Sequence, residues 1–282
     1  MEKLIQYATQ ASRYNGEFGG AVGWPAAGMG YVFVTEDNRL MVVDGGHGED
    51  AEALLRLLRE ATGEESPTVD LWIVTHPHLD HYGILRELAA RDDLRRQVTV
   101  RELLWYFPAD FRDSGGRAPC EKANRHMREV CAALGAAERV PRIEESVAVG
   151  RLELTFLFVP TDCSELTNPN SLSLIFSVRS PRKTVLMTGD AFPVTLQYCV
   201  DHRRGVLKAD VLQLPHHGLC DTGNAEFYRL VNAHTLLIPI SEAGDRAMRS
   251  GVYGEAVAAN LTAEKLASVI HRAFEGTVCV EL

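Results

Sequence analysis

Short apolar runs alternate with amphipathic stretches along most of this chain. The runs YVFVT (31–35) and RLMVVD (39–44) flank the turn EDN and predict two strands joined by a tight connection. The stretch EDAEALLRLLREATG (49–63) has acidic residues in its first turn and a glycine at its end, and therefore predicts a helix. VDLWIVT (69–75) is continuously apolar, which is typical of a strand buried on both faces. YGILRELAAR (82–91) then resumes a helical pattern.

The second half of the chain repeats this mixture after a less regular segment. Residues 97–145 combine the aromatic stretch LLWYFP, the loop DSGGR and a helix predicted over 119–134, and we interpret them as an insertion. Strands are then predicted at 146–160, 171–178, 183–190, 209–215, 235–240 and 277–281, and helices near 193–202, 224–232 and 262–274. Because no Pro- or Ser-rich linker separates the halves, we predict a single α/β domain over residues 1–282, with two packed sheets and outer helices.

Composition narrows the class of protein. Lysine and arginine number 29 against 38 acidic residues, a net charge of -9, so the chain has no general electrostatic attraction to a polyanion. No apolar run approaches the ~18 residues of a membrane span, and the six cysteines are spread without a CxxC pair. We therefore expect a soluble cytoplasmic protein with reduced thiols. The lack of a GxGxxG or GxxxxGK pattern disfavours a nucleotide cofactor.

The turn HPHLDH, directly after the predicted strand at 69–75, carries the strongest chemical signal. His76 and His78 can face one point, whereas Asp80 and His81 lie farther round the turn and can face a second. Imidazole nitrogen and carboxylate oxygen suit zinc, manganese or iron, so the turn predicts two neighbouring metal sites. The alternative is a turn with chance or structurally satisfied histidines. That alternative is disfavoured because burying so many ionisable groups without a counter-ion costs free energy.

Four motifs in this order resemble the metallo-β-lactamase superfamily over about residues 31–240: Asp44 followed by two glycines, HxHxDH, the TGD that ends at Asp190, and PHHG at 215–218. Within that superfamily, NPNSLSLIF, TVLMTGD and ADVLQLPHHG are similar to the metallo-β-lactamase-like domain of ComEC-type DNA-uptake competence proteins. Those proteins carry the domain beside membrane segments, which this sequence does not show. The resemblance implies an α/β fold, an αββα sandwich of two mixed β-sheets flanked by helices, with metal ions at one edge.

The resemblance also implies a ligand set for one or two divalent cations, Zn²⁺ first and Mn²⁺ as the alternative. The implied ligands are His76 and His78 in the first site, Asp80 and His81 in the second, Asp190 bridging them, and His216 completing the second site. Asp44 would brace the metal-bearing loop by hydrogen bonding. Asp80 and His217 are the predicted catalytic residues, with His217 behind the ligands or acting as a proton donor; His216 is preferred over His217 as the ligand.

One position departs from the pattern of the superfamily. Most members supply another histidine to the first site, and here only His126 lies between HxHxDH and Asp190. His126 falls in a charged helical stretch and is interpreted as a surface residue. Asn170 is the positional match in the competence-like branch. Because an amide oxygen is a weaker and harder donor than imidazole, the first site is expected to bind zinc less tightly and to tolerate manganese.

Several other polar residues are considered for the pocket. His47 follows the bracing aspartate closely and could reach the metals, whereas Asp162 is interpreted as a loop residue. The remaining histidines at 202, 234 and 271 are expected to be structural.

Metal coordination lowers the pKa of bound water to ~7, so the predicted sites favour hydrolysis, and no GxSxG or other nucleophile motif competes with this interpretation. Two neighbouring cations suit phosphodiesters, which makes a phosphodiester or nucleic-acid-type substrate the leading prediction.

The basic residues of the supposed insertion (Arg112, Arg117, Lys122 and Arg125) are more simply a solvated face, and its aromatic residues (Trp105, Tyr106 and Phe107) are more simply core. A hydrolase of lactone, β-lactam or thioester substrates, and a non-catalytic metal-binding regulatory protein, are the alternatives. No membrane partner is expected.

Overall fold

The computed structural model describes residues 1–16, 27–219, 224–251 and 258–282. Its strands are β1 (Lys3–Gln6), β2 (Gly30–Val34), β3 (Leu40–Asp44), β4 (Thr68–Ile73), β5 (Thr99–Leu104), β6 (Ala137–Arg139), β7 (Ser146–Val149), β8 (Leu152–Phe158), β9 (Ile175–Arg179), β10 (Thr184–Met187), β11 (Val211–Gln213), β12 (Thr235–Ile238), β13 (Val269–Arg272) and β14 (Val278–Glu281). Its helices are α1 (Ala51–Thr62), α2 (Leu79–Ala90), α3 (Asp92–Arg95), α4 (Pro119–Leu134), α5 (Pro193–Arg203), α6 (Ala225–Val231), α7 (Glu242–Arg249) and α8 (Ala258–Leu266).

These strands form two seven-stranded sheets among the described residues. The first has the order β14-β1-β2-β3-β4-β5-β6 and the second the order β13-β12-β11-β10-β9-β8-β7. In each sheet antiparallel neighbours give way to parallel ones, at β3 in the first and at β10 in the second. The predicted α/β sandwich of two mixed sheets flanked by helices is therefore confirmed.

The alternation of side chains along each strand explains why the apolar runs are continuous. Tyr31 and Phe33 of β2 pack into the layer between the two sheets, whereas Val32 and Val34 pack into the layer beneath the helices. Successive side chains of a strand point to opposite faces, and both faces are covered here. A strand such as β2 therefore has no solvent-facing side, and all five of its residues are buried.

The structure corrects three expectations. Strand β1 was not predicted. The helix predicted at 262–274 is wrong beyond residue 266, because the next segment pairs with β12 as β13, and the backbone N–H groups of Ser268 and Val269 donate to the carbonyl of His234. The supposed insertion at 97–145 supplies β5, which pairs with β4 inside the first sheet, together with edge strand β6 and α4. Tertiary pairing overrides the irregular local pattern at these places.

One edge of the sandwich collects the ends of four strands. Strands β3 and β4 run parallel in the first sheet, and β10 and β11 run parallel in the second. Side chains that follow the carboxyl ends of parallel neighbours meet at one edge, where α/β proteins commonly place their ligands. The aspartate of β3, the HPHLDH turn, the TGD turn and the PHHG segment all follow these four ends. Within the described residues, no helix is both long and apolar enough to span a membrane.

Candidate metal centre

The HPHLDH turn connects β4 to α2 and is held by a close approach of backbones. His78 is the residue before α2 and has extended backbone angles, which places Asp80 in the first turn of the helix, where a negative charge is favoured. A β-carbon on Gly83 would lie 2.9 Å from the nitrogen of Gly48 and 3.0 Å from the oxygen of Gly46. Only glycine lets α2 pack this closely against the loop after β3.

Two groups of metal-type donors lie at this edge and share one carboxylate. His76, His78 and Asp190 form the first group, and the donor atoms lie within 4.8 Å of one another. The second group consists of Asp80, His81, Asp190 and His217, within the same distance. Oδ2 of Asp190 lies 3.7 Å from Nε2 of His76 and 3.3 Å from Nε2 of His81. Asp190 is thus placed where one carboxylate can contact two cations.

Asp44 holds the histidine-bearing loop from below. Its carboxylate accepts hydrogen bonds from the backbone N–H of Thr75 (2.8 Å) and from the hydroxyl of Thr75, and Oδ2 lies 2.8 Å from Nδ1 of His81. The indole of Trp72 donates to the backbone carbonyl of Asp44. With Nδ1 of His81 occupied in this way, Nε2 is directed at the shared carboxylate. Asp44 is thus hydrogen-bonded to two residues of this loop, Thr75 and His81.

The sequence analysis missed the residues that orient Asp190. The backbone N–H of Asp190 donates to Oγ of Ser173 at 2.9 Å. The side chain of Gln213 donates to the carbonyl of Gly189 and accepts from the N–H of Thr188, so it ties the TGD turn to the end of β11. Gln213 is fully buried, and the one signal for it is a polar residue within the apolar run ADVLQLP.

The structure places His217, and not the preferred His216, in the second donor group. Nδ1 of His217 lies 2.7 Å from the carbonyl of Pro239, to which it donates, and Nε2 lies 3.2 Å from Oδ2 of Asp80 and 3.5 Å from Oδ2 of Asp190. Both histidines have positive φ, so the PHHG segment is a tight turn and strand alternation does not apply to it. The ring of His216 lies against Phe192, its side chain is 24% exposed, and its Nε2 is 4.0 Å from Asp190.

The segment that follows Asn170 contacts the metal edge. Two residues of this segment form the hydrogen bonds: Ser173 to Asp190, and the N–H of Leu174 to the carbonyl of Thr75. Asn170 is buried, and its Oδ1 has no hydrogen-bond partner within the described residues. An amide oxygen left bare in the interior is a candidate for an additional ligand of the first site.

Three other considered residues lie outside both donor groups. His47 precedes the 3₁₀ turn Gly48–Asp50 and exchanges capping contacts with Asp50. Asp162 is exposed and accepts a hydrogen bond from the N–H of Ser164. His126 was expected on the surface, but it is 9% exposed, and its Nδ1 lies 3.2 Å from the hydroxyl of Tyr82. Its contacts are those of a residue between α2 and α4.

The basic side chains of the segment 97–145 bond within that segment or lie exposed on α4, and its aromatic side chains are buried or half-buried. Arg112 donates to the carbonyls of Ala109 and Phe111 and lies near Glu121, and the guanidinium of Arg117 lies 2.6 Å from Asp113. Lys122 and Arg125 are exposed on α4, whereas Trp105 and Phe107 are buried and Tyr106 is half-buried.

Burial and charge act in opposite directions on the histidines of the centre. Burial lowers the pKa of His76 well below its ordinary value, and the charge of His81 lowers it further. Burial also disfavours the charged form of His81. The carboxylates of Asp190, Asp44 and Asp80 outweigh that effect, and the pKa of His81 lies well above its ordinary value. The neighbouring carboxylates therefore favour the charged form of His81.

His217 is paired with the carboxylates of Asp190 and Asp80. Burial lowers the pKa of His217, but Asp190 and Asp80 outweigh it and raise the pKa to about 10. Burial would raise the pKa of Asp190, yet His81 and His217 hold it well below the ordinary value. The pKa of Asp80 is lowered by the same two histidines against the effect of burial. A divalent cation at the second group would thus compete with protons for these imidazoles.

The residues fit divalent metal ions by a test that is independent of any family. Buried donor atoms without hydrogen-bond partners in the described structure concentrate here: Nε2 of His76, His81 and His217, Oδ1 of Asp190 and Asn170, and Nδ1 of His216. Buried polar atoms are almost always paired, and a cluster of unpaired nitrogen and oxygen donors is what a cation-binding site requires. Their nitrogen and oxygen chemistry suits zinc or manganese.

The chain resembles known proteins in sequence pattern and in fold. A family model described as "Metallo-beta-lactamase superfamily" matches residues 27–238. Similar solved structures include the metallo-beta-lactamase fold protein YhfI from Bacillus subtilis (15% identity, TM-score 0.57, covering 99% of this chain and 100% of that one). Zn²⁺-bound PqqB from Methylobacterium extorquens has 12% identity and a TM-score of 0.58, with both chains fully covered. These likenesses show the fold. Among curated protein sequences there was no significant match.

Proposed function

The chain belongs to the metallo-β-lactamase superfamily, and from that premise we propose that it is a two-metal hydrolase that cleaves small phosphodiesters at the centre around Asp190. Its metal-dependent hydrolase fold carries two donor groups, and Asp190 is the residue common to both. That shared carboxylate is the observation that carries the proposal, because one carboxylate can hold two cations close together. Two-metal sites in which the cations are about 3.5–4 Å apart suit in-line displacement at phosphorus.

Different residues would hold the two cations. His76, His78 and Asp190 would bind the first, with Oδ1 of Asn170 as an additional donor. The second would be bound by Asp80, His81, Asp190 and His217. The second group offers four donors of the types that zinc prefers, and we propose Zn²⁺ there, whereas the first group has fewer such donors and accepts Zn²⁺ or Mn²⁺.

When bound, the cations would lower the pKa of a coordinated water and stabilise the negative charge of the reacting phosphate. In the hydrolysis the water oxygen would bond to phosphorus, and the bond from phosphorus to the leaving oxygen would break. One water proton would be transferred to that leaving oxygen, which becomes the alcohol. The other proton passes to solvent through Asp80, whose side chain is 14% exposed against 2% for Asp190. His216, 24% exposed beside the centre, faces the substrate.

The surroundings favour a small substrate over a nucleic-acid strand. The described loops of the metal edge, residues 44–50, 75–80, 161–173, 188–195 and 214–219, contain no lysine or arginine. An extended polyanion is bound mainly through such cations. A single phosphodiester can instead be neutralised by the cations of the centre itself. The narrower kinship with ComEC-type proteins and a cytoplasmic location stay predictions.

A second candidate function is hydrolysis of an acyl substrate such as a lactone, β-lactam or thioester. Two apolar side chains beside the centre favour it: Leu79, within the HPHLDH turn, is 46% exposed, and Val194, four residues after Asp190, is 40% exposed. Exposed apolar side chains at the mouth of a site suit an organic acyl group.

The deciding experiment measures hydrolysis of bis(4-nitrophenyl) phosphate, a lactone, nitrocefin and an acyl thioester by protein reconstituted separately with Zn²⁺ and Mn²⁺. We expect the phosphodiester to have the highest kcat/KM. Asp190→Asn, which keeps the shape of the side chain, should abolish that activity, and the exposed surface variant Glu64→Gln should retain it. A preference for an acyl substrate supports the second candidate, and inactivity toward all four with both metals bound supports a non-catalytic metal protein.

A further inference from the structure

A groove of about 540 Å³ lies between helix α5 and the segment that follows β8. Its lining combines aromatic, acidic and small polar side chains, among them Phe158, Tyr198, His202, Asp162, Glu165 and Asp201. No donor of the two metal groups lines the groove, so the groove is separate from the metal centre.

Two residues that line the groove, Val194 and Thr195, are linked to the metal edge. Val194, which lines it, follows the shared carboxylate Asp190 by four residues, a stretch that spans at most about 14 Å. Thr195, also in the lining, donates through its hydroxyl to the carbonyl of Ser171, the neighbour of Asn170. Val194 therefore lies no more than about 14 Å from Asp190, a distance that an extended substrate can span.

Aromatic faces form one side of the groove. The rings of Phe158 and Tyr198 meet edge to face with centroids 5.2 Å apart, and the imidazole of His202 lies 4.5 Å from Tyr198. Phe158 is buried and Tyr198 is half-buried, so the stack is held by the core and presents only part of its surface. Aromatic faces of this kind attract organic cations.

The carboxylates that line the groove make it negatively charged. Its lining contains three carboxylates and no lysine or arginine. Asp162 accepts from the N–H of Ser164, and Asp201 accepts from the side chain of Gln197. Within the described parts of the chain neither of them, nor Glu165, lies in an ion pair with a lysine or arginine. Their negative potential is therefore not neutralised locally and favours a cation in the groove.

We propose that this groove binds an alkylammonium group of the substrate while the bond to be hydrolysed lies at the metal centre. The inference rests on the proposed function and makes it narrower: the substrate is an ester that carries an organic cation. Aromatic faces and carboxylates supply complementary parts of such a site, because the ring accepts the methyl groups and the carboxylates balance the charge.

A matched pair of substrates tests the proposal. The zinc protein is assayed with 4-nitrophenyl phosphocholine and with its neutral isostere, 4-nitrophenyl 3,3-dimethylbutyl phosphate, and longer linkers between phosphate and cation are then compared. For the best linker we expect kcat/KM to favour the cation by about 5-fold or more, mainly through KM. Equal kcat/KM for cation and isostere at every linker length overturns the inference but leaves the proposed hydrolase intact.

Variants of the groove test whether its residues cause the preference for the cationic substrate. The double variant Asp162→Asn/Asp201→Asn and Tyr198→Leu should each reduce the cation preference toward unity without changing kcat/KM for the isostere. Tyr198→Phe keeps the ring and should keep the preference, and Glu64→Gln is a remote charge control. A preference that survives both groove variants contradicts the assignment.

A binding measurement separates this inference from hydrolysis. Titration of tetramethylammonium chloride into metal-free protein, followed by NMR of the aromatic ring protons, should shift the resonances of Tyr198, and sodium chloride at equal ionic strength should not. Shifts without turnover of any ester refute the proposed function and support the groove as an organic-cation site. The absence of shifts refutes the proposal that the groove binds an organic cation.

Discussion

Nε2 of His217 lies 3.2 Å from Oδ2 of Asp80, and this contact joins the ends of two strands from different sheets. Asp80 follows β4 of the first sheet, and His217 follows β11 of the second. The hydrogen bond from Nδ1 of His217 to the carbonyl of Pro239 fixes the ring in this direction. The sandwich edge is therefore held together by the same side chains that would bind metal, which makes metal binding and stability coupled properties.

The first prediction concerns the two adjacent histidines. His217→Asn should weaken the binding of one Zn²⁺ by more than about tenfold, because it removes a buried donor from the second group. His216→Asn should leave both metal affinities nearly unchanged and should lower kcat, because the partly exposed ring of His216 would contact the substrate of the proposed reaction. Competition with a chromophoric chelator gives the affinities. A larger loss of metal in the His216 variant would restore the assignment made from sequence.

The second prediction concerns the brace beneath the centre. Asp44→Asn should reduce metal affinity about 10–100-fold, because the carboxylate no longer orients Nδ1 of His81. Asparagine tolerates the positive φ of 56° at this position, so the backbone should be retained. Circular dichroism should therefore match the native protein while the chelator titration shifts. Unchanged affinity would mean that the contact does not orient the ligand.

The third prediction concerns the close approach of α2 to the loop after β3. Gly83→Ala places a methyl group about 3 Å from the backbone of residues 46–48 and should lower the free energy of unfolding by about 1–3 kcal/mol. Gly205→Ala is the matched control, because nothing lies within 4 Å of its added β-carbon. Denaturant unfolding of the two variants measures the difference. Equal stability would show that the helix can move away without cost.

The fourth prediction concerns the pH dependence of the metal-free protein. The pKa of His217 is raised in the folded state, from 6.5 to about 10. Its stabilising contribution is therefore fully present below about pH 6.5 and is lost as the pH rises through 10. The Tm of chelator-treated protein should fall over that range.

His217→Asn should flatten this decline, and it serves as the control for titration elsewhere in the chain. Zn²⁺ affinity should increase over the same interval, because the cation no longer competes with the proton on this imidazole. A Tm that rises with pH in the metal-free protein would contradict the ion-pair arrangement of His217 with Asp80 and Asp190.

Much of the fold follows from local patterns. The runs at 31–35 and 39–44 became β2 and β3, and the helix expected at 49–63 became α1, because alternation of buried side chains and a glycine stop are local properties. β1 and β13 were missed because they are short and are strands only by virtue of their partners. β5 was set aside as part of an insertion, since polar residues such as Arg101 and Glu102 break its apolar pattern.

The sequence by itself determined the kind of chemistry, because a strand followed by HPHLDH holds ligand-type side chains together over six residues whatever the rest of the chain does. Only the tertiary structure placed His217, and not His216, in the second donor group and revealed Gln213 and Ser173 behind Asp190. Those choices depend on the positive-φ turn at PHHG and on contacts such as that to Pro239, which join positions far apart along the chain. Local spacing carries no information about which of two adjacent rings such contacts turn inward.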